Sequence, residues 1–249
     1  MGRMFEFITR TINPLGGECV WDAGAEYGGR CRYCWASHVK DRFGFRKYMG
    51  EPFLFLGGLR QIESLGEDDF AFAVTMRDPY NPNVPADYRW AIYNSIMKSK
   101  GKVLLLTKNP EGAFTDLGAM RSTTGLIPNL VIGATVESDI DHRGISGAPR
   151  ITDRLRWMYA IRTEFPEQRT FVSVAPILKF TQDFSRRLVQ LRPEAVAVGY
   201  DNYDNQLPEP TMKETEGLID ALEDAECMLV YRKTIRAAWD EFDGVEVPI

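Results

Sequence analysis

Three cysteines lie close together near the N-terminus, and the cysteine thiolate is both a nucleophile and a metal ligand. Cys19, Cys31 and Cys34 fall within sixteen consecutive residues with the spacing Cys-x11-Cys-x2-Cys, whereas Cys227 stands alone near the C-terminus. Glycines around the first two cysteines make this segment a flexible loop that can wrap a metal centre. Because a reducing cytosol disfavours a disulfide framework, the group of three indicates a metal site.

Two kinds of metal centre suit these ligands. A structural zinc site closes four ligands around one ion, and His38, four residues beyond Cys34, is available as the fourth ligand of a Cys3His site. A [4Fe-4S] cluster held by three thiolates instead leaves one iron open, which a substrate or cofactor can occupy. The cysteine spacing leaves both alternatives open.

Short β-branched or aromatic runs recur along the chain, and helical patterns separate them. Several of these runs are apolar on both faces, as is expected of parallel strands that are covered on both sides. We therefore predict an α/β fold, a partial or complete parallel βα barrel of the TIM-barrel type with about six strands. The predicted strands are Phe53 to Gly57, Phe70 to Met76, Lys102 to Lys108, Leu130 to Ser138, Thr170 to Pro176, Ala195 to Tyr200 and Met228 to Lys233.

No segment rich in Pro, Gly or Ser divides the chain, which predicts one domain over residues 1–249, with a cluster-binding loop at 12–50 and the barrel at 51–240. Asp183 and Thr211 stand where helix N-caps are expected. The predicted helices are Pro85 to Ser99, Ile151 to Phe165, Thr181 to Leu191 and Thr211 to Ala225.

Polar residues follow the apolar runs where each predicted strand ends. In a βα barrel the carboxyl ends of the strands meet at one mouth, which carries the active site. Some of these residues cap helices or turns instead, since βα loops commonly end in Asp, Ser, Thr or Asn. The strand-end residues are Arg77, Asp78, Tyr80, Thr107, Lys108, Thr135, Glu137, Ser173, Tyr200, Asp201, Asn202, Arg232 and Lys233.

Ordinary acid–base catalysis at this mouth is one alternative function. Asp78, Glu137 and Asp201 would then carry the chemistry, and the cysteines would be structural. Histidine-based hydrolysis has little support, because the chain has only His38 and His142 and neither ends a predicted strand.

The order of several short motifs resembles a phage-associated and bacterial family of radical S-adenosylmethionine enzymes. Ile12-Asn13-Pro14, Gly17-Glu18-Cys19 and Gly29-Arg30-Cys31-Arg32-Tyr33-Cys34-Trp35-Ala36 are similar to the family's WNP…GC…GCxxCYA opening. Later motifs follow in the same order: Met76-Arg77-Asp78 resembles MSD, Leu106 to Pro110 resembles LTKRP, Gly133 to Glu137 resembles GVTVE, Val172 to Leu178 resembles LSIEPLL, and Tyr231-Arg232-Lys233 resembles FFK. The resemblance spans about residues 12 to 233.

The chain departs from the radical S-adenosylmethionine pattern at three places. Eleven residues separate the first two cysteines, where three are usual. Ala175 replaces the family's Glu, and Gly199-Tyr200-Asp201-Asn202 stands where GGESG is expected. Because the last two changes fall on the predicted barrel mouth, they imply a different substrate or rearranged substrate loops.

The resemblance implies a [4Fe-4S] cluster whose metal ligands are Cys19, Cys31 and Cys34. S-adenosyl-L-methionine would bind the fourth iron and give a 5′-deoxyadenosyl radical that abstracts hydrogen from the substrate. The implied cofactor-binding residues are Tyr33 at the adenine, Asp78, Thr135 and Glu137 at the ribose and amino groups, Lys108 at the carboxylate, and Ser173. The implied catalytic residues are Tyr200, Asp201 and Lys233, which with Ser173 and Asn202 would surround the substrate.

The expected substrate is a nucleobase lifted from a strand, which Tyr203 can stack on and neighbouring amide and carboxylate groups can hydrogen-bond. The basic run from Arg30 to Lys47 would hold the adjacent phosphates. The family's phage members imply DNA modification, a radical rearrangement or isomerisation of an amino-acid-substituted thymine. A flavodoxin or ferredoxin is the expected electron donor. The alternative is a zinc-stabilised Cys3His nucleic-acid-binding or nuclease-like protein.

Composition sets the remaining limits. Thirty Lys and Arg against 35 Asp and Glu give a formal charge of -5, which excludes a protein that coats nucleic acid by charge alone. The apolar runs are far shorter than the roughly 20 residues of a membrane span, and the N-terminus lacks a signal-peptide pattern. We therefore expect a cytoplasmic protein, in the host cell cytoplasm if it is phage-encoded, that does not act in a membrane.

Overall fold

The computed structural model of the chain describes residues 5–21, 30–44, 48–142, 144–225 and 228–232. The predicted catalytic residue Lys233 lies outside these ranges, as does Cys227. The strands are β1 (Arg10–Ile12), β2 (Leu15–Gly16), β3 (Phe53–Leu54), β4 (Phe70–Ala73), β5 (Lys102–Thr107), β6 (Leu130–Thr135), β7 (Arg169–Val174), β8 (Ala195–Val198) and β9 (Leu229–Arg232). The helices are α1 (Trp35–Phe43), α2 (Leu56–Glu63), α3 (Ala86–Lys98), α4 (Pro110–Thr123), α5 (Ile151–Glu164), α6 (Phe184–Leu191) and α7 (Met212–Glu223).

One parallel sheet organises the molecule. Within the described ranges it has seven strands in the order β1-β4-β5-β6-β7-β8-β9, and every neighbouring pair is parallel. From β4 onward each strand pairs with the next strand of this sheet along the chain, and the sheet curls into a half-barrel. The predicted α/β class is confirmed, and the half-barrel is compatible with the predicted partial βα barrel.

Both faces of the sheet are apolar because both are covered. On the outer face Val103 and Leu105 belong to the large core that the helices share with the sheet. On the inner face Leu104 and Phe171 pack against Phe5 from the N-terminal segment, and the Phe5 and Phe171 ring centroids lie 5.0 Å apart. Burial on both sides explains why the strands read as continuous apolar runs.

The first strand of the barrel differs from the prediction. The run Phe53 to Gly57 is not a barrel strand: β3 pairs antiparallel with β2 at Leu15–Gly16, and α2 begins at Leu56. Strand β1 takes the first place in the barrel instead, next to β4. It escaped prediction because it has three residues and a proline follows soon after it, so it shows no clear strand pattern.

The predicted helix starts have different outcomes. Thr211 forms a capping box with Glu214, so its N-cap role is confirmed. Asp183 occupies the N-cap position of α6, but its side chain makes no capping hydrogen bond and accepts one from Arg186 instead. No helix in the described part of the chain combines the length and apolarity needed to cross a bilayer.

Candidate active site

The carboxyl ends of the strands border a cavity of about 880 Å³, which we call the mouth cavity. Its position is the one that βα barrels use for their active sites. The three clustered cysteines and most of the predicted site residues line it: Cys19, Cys31, Cys34, Tyr33, Asp78, Lys108, Thr135, Ser173, Tyr200, Asp201 and Asn202. Glu137 lines a neighbouring cavity of about 430 Å³, which shares Tyr33 with the mouth cavity, and its role at the cofactor stays a prediction.

Each cysteine is positioned by a different local structure. Cys34 precedes α1, and its backbone N–H donates to the Cys31 carbonyl at 3.0 Å in a tight turn. The Cys31 sulfur lies 3.1 Å from the Ser146 hydroxyl. The Cys19 sulfur accepts a hydrogen bond from the Asn81 amide at 3.7 Å. The fold thus brings the distant Cys19 to the same cavity as the closely spaced pair.

Burial governs the protonation of the Cys19 and Cys31 thiols. It raises the pKa of Cys19 to about 12, and the negative charge of Asp78 adds to this effect. Burial also raises the pKa of Cys31, although the positive charge of Lys108 opposes it. Thiols of this kind ionise when a cationic metal centre binds them, because the thiolate is the ligating form.

The described residues do not form the Cys3His zinc site. No three Cys, His, Asp or Glu side chains among them lie close enough to share one metal ion, as a zinc site requires. His38 is exposed, and its ring stacks on Tyr203 with the centroids 4.4 Å apart.

A [4Fe-4S] cluster makes a different demand on its ligands. It binds each thiolate through a different iron, so its ligand sulfurs stand further apart than the ligands of one ion. Three thiols on the wall of one roomy cavity fit it in number and kind of donor.

Asp78 joins the ends of two strands. Its carboxylate accepts hydrogen bonds from the Thr107 hydroxyl at 2.6 Å, the Lys108 backbone N–H at 2.6 Å and the Tyr80 backbone N–H at 2.9 Å. Burial raises the pKa of Asp78, while these hydrogen bonds favour the ionised form. Three of its roughly four acceptor positions are used, so its main contact is with the protein itself.

Lys108 supplies a positive charge to the mouth cavity. Its ammonium nitrogen lies 5.2 Å from the centroid of the Tyr33 ring, a cation–π contact. Burial works against its charge, but electrostatic interaction with Cys31 and Glu137 outweighs burial and raises the pKa of Lys108. An ammonium held here can bind an anionic group such as a carboxylate.

A buried ion pair lines the smaller cavity. Glu137 pairs with Arg154 of α5 at 2.7 Å and also accepts a hydrogen bond from the Tyr33 hydroxyl. Burial opposes ionisation of Glu137, yet Arg154 and Lys108 prevail and lower the pKa of Glu137. The carboxylate is therefore engaged within the protein and fixes the ring of Tyr33.

Two hydroxyl side chains stand side by side on the inner face of the sheet. Thr135 of β6 and Ser173 of β7 are paired in register, both are buried, and both line the mouth cavity. Adjacent hydroxyls of this kind can donate to or accept from a polar ligand.

Tyr200 and Asp201 make structural contacts. The Tyr200 hydroxyl lies 2.5 Å from the Thr215 hydroxyl on α7. The Asp201 carboxylate accepts hydrogen bonds from the backbone N–H of Asn205 at 2.6 Å and from its side chain at 2.8 Å, which closes the loop after β8. Both residues border the mouth cavity, and their catalytic role stays a prediction.

Part of the predicted phosphate-binding run serves the fold instead. Arg30 and Lys40 both pair with Glu18, and Lys40 is buried. Arg46 and Lys47 lie outside the described residues. Arg30 and Lys40 are therefore engaged within the protein, and phosphate binding by the run stays a prediction.

Sequence reasoning missed two residues of this region. Arg154 shares the buried face of α5 with Ile151, Leu155 and Met158, and an arginine on such a stripe is the signal of a buried ion pair. Asn81, which contacts Cys19, carries no comparable signal because asparagine is common in turns.

Comparison of the chain with protein-family models, with curated proteins and with solved structures finds no match.

Proposed function

We propose that the chain is a radical S-adenosylmethionine enzyme that modifies a nucleobase at the mouth of its half-barrel. The observation that carries this proposal is the convergence of Cys19, Cys31 and Cys34 with Lys108 on one cavity. The motif resemblance found in the sequence supports the same function. Three thiols beside an ammonium group suit a [4Fe-4S] cluster together with a sulfonium amino acid.

The three thiolates would hold the cluster, which when bound supplies the electron that cleaves S-adenosylmethionine to a 5′-deoxyadenosyl radical. Lys108 binds the carboxylate of the methionine part through its ammonium group. Thr135 and Ser173 offer hydroxyls to the ribose or the amino group from adjacent strands. Tyr33 stays fixed between Glu137 and Lys108, which gives the cofactor a rigid aromatic wall.

The rim of the cavity suits a flat substrate. Tyr203 is 44% exposed, borders the mouth cavity and stacks on His38, so its ring is available at the surface. Asn202 beside it offers amide groups to the edge of a base. Trp21 and Trp35 line the cavity, and we infer that they shield the reacting atoms from water. The substrate we propose is an amino-acid-substituted thymine in phage DNA, which the enzyme rearranges or isomerises by a radical route. A flavodoxin or ferredoxin would donate the electron that reduces the cluster.

Anaerobic reconstitution with iron and sulfide tests the cofactor. We expect about four irons per chain, the content of one cluster, together with visible charge-transfer absorption. With dithionite as the reductant, the reconstituted chain should release 5′-deoxyadenosine from S-adenosylmethionine. Cys31→Ala should abolish both iron uptake and cleavage, whereas Cys227→Ala, which changes the isolated cysteine, should retain them. Stoichiometric zinc with no iron uptake would overturn the proposal.

The substrate is tested separately with the reconstituted chain. DNA carrying an amino-acid-substituted thymine is compared with the free nucleoside and with unmodified DNA. We expect deuterium transfer from the labelled substrate into 5′-deoxyadenosine only with the modified DNA. Transfer from small metabolites but never from polynucleotide would reject the nucleic-acid substrate and leave the cofactor chemistry in place.

A further inference from the structure

The β4–α3 loop, residues 74–85, contacts the segment that carries Cys19 at three successive points. The Arg77 guanidinium donates to the Gly16 carbonyl at 2.7 Å. The Asn83 amide donates to the Glu18 carbonyl at 3.4 Å. The Asn81 amide donates to the Cys19 sulfur at 3.7 Å. One loop therefore holds both the backbone on the N-terminal side of Cys19 and its sulfur.

These three side chains also hold one another. Arg77 donates to the Asn83 side-chain oxygen at 2.5 Å, and the Asn83 backbone N–H donates to the Asn81 side-chain oxygen at 3.4 Å. Since the Asn81 oxygen is used as an acceptor, its NH₂ group is directed at the sulfur. Asn81 is 1% exposed, so this orientation is enforced by burial.

Cys19 needs such support because local structure does not place it. Cys31 and Cys34 are joined by a tight turn that leads into α1, whereas eleven residues separate Cys19 from Cys31. The β4–α3 loop thus positions Cys19 through contacts that are distant in sequence, whereas a short spacing and a tight turn position Cys31 and Cys34.

Arg77 adds a charge to this arrangement. It is 5% exposed, and no carboxylate in the described ranges lies within ion-pair distance of it. Its acceptors are neutral oxygens, and its Nε atom is buried with no hydrogen-bond partner in that part of the chain. A buried cation of this kind is costly unless anionic groups nearby compensate it, and the acidic groups that act on Arg77 are Cys19, Asp78 and Glu51.

We propose that Asn81 and Arg77 are positioning residues that hold Cys19 and raise the reduction potential of the centre it binds. This inference rests on the proposed [4Fe-4S] function. A hydrogen bond to a ligating sulfur and a fixed positive charge both favour the reduced state, which carries one more negative charge.

Potentiometric titration of the reconstituted full chain, followed by electron paramagnetic resonance, tests the inference. Asn81→Leu removes the donor to sulfur, and Arg77→Met removes the charge. Each should shift the midpoint potential to a more negative value, and Arg77→Lys, which retains the charge, should shift it less than Arg77→Met. Arg121→Met, an arginine replacement on α4 far from the cavity, should leave the potential unchanged. Thermal melting of each variant before reconstitution identifies any that fail to fold. If Arg77→Met does not fold, the potentials of Asn81→Leu and of the conservative Arg77→Lys are compared with that of the wild type.

The outcomes separate the inference from the function it rests on. If the wild-type chain binds a cluster and both Asn81→Leu and Arg77→Met keep its potential, the inference is wrong and the proposed function stands. If the wild-type chain takes up no cluster, the proposed function fails and the inference fails with it.

Discussion

Glu137 and Arg154 form a fully buried ion pair, with 2.7 Å between carboxylate and guanidinium and 2% of each side chain exposed. Arg154 also donates to the Thr135 carbonyl at 3.1 Å and the Pro149 carbonyl at 2.7 Å. Because Glu137 in turn accepts from Tyr33, one pair links helix α5 to the end of β6 and to the cysteine segment. The pair therefore bears on both stability and the shape of the mouth cavity.

Removing one partner of this pair should be strongly destabilising. We expect Arg154→Met to cost about 3–5 kcal/mol of unfolding free energy, because it leaves the Glu137 carboxylate buried without a counter-charge. Urea unfolding at neutral pH measures the change. The double variant Arg154→Met with Glu137→Leu should regain much of the loss, since the Glu137 carboxylate is no longer buried without its Arg154 counter-charge. A double variant less stable than Arg154→Met would contradict this explanation.

The same pair predicts a dependence of stability on pH. The pKa of Glu137 is lowered from its ordinary value of 4.5, because Arg154 and Lys108 outweigh the effect of burial. The stabilisation is therefore fully present above the ordinary pKa and is lost as pH falls through the lowered one. The difference in unfolding free energy between wild type and Glu137→Gln should be largest at neutral pH and shrink in acid. A difference that grows in acid would refute the assignment.

Gly133 is required by close packing inside the half-barrel. A Cβ atom there would lie 2.9 Å from a methyl carbon of Leu104, 2.9 Å from one of Leu106 and 3.1 Å from the Phe171 ring. We expect Gly133→Ala to destabilise the fold by about 1–3 kcal/mol through overpacking. Gly118→Ala on α4 is the matched control: nothing lies within 4 Å of its Cβ position, and helix propensity favours alanine. Thermal or chemical unfolding measures the stability of both variants. Equal losses of stability in Gly133→Ala and Gly118→Ala would contradict the close-packing explanation.

Lys108 should control the affinity for S-adenosylmethionine if the proposed function holds. Lys108→Met removes the ammonium that faces the mouth cavity, and we expect binding by the reconstituted chain to weaken about ten- to a hundredfold, the range of a hydrogen bond to a charged group. Lys102→Met is the control, because Lys102 is exposed at the opposite end of the same strand. Isothermal titration calorimetry measures both affinities. Equal affinities for Lys108→Met and wild type would remove Lys108 from the binding site.

The local pattern of the chain was sufficient for much of the barrel. The runs that became β4 to β9 are apolar over several residues and end in polar residues, and these features depend on neighbours in the sequence. The same pattern places Asp78, Lys108 and Thr135 at strand ends, and all three line the mouth cavity. Strand β1 has too few residues to show such a pattern and is recognised only by its pairing with β4.

What the sequence determined by itself was the α/β class, the runs that form strands β4 to β9 and the chemical nature of the donors, because periodicity and residue type are local properties. Tertiary structure decided the partners of those donors. Asn81 and Cys19 are 62 positions apart and Tyr33 and Glu137 are 104 apart, so their contacts depend on how the sheet curls and on the paths of the loops. Glu137 is paired with Arg154 in the interior, whereas Lys108 faces the mouth cavity. Both residues follow a strand, so their spacing in the sequence does not predict this difference.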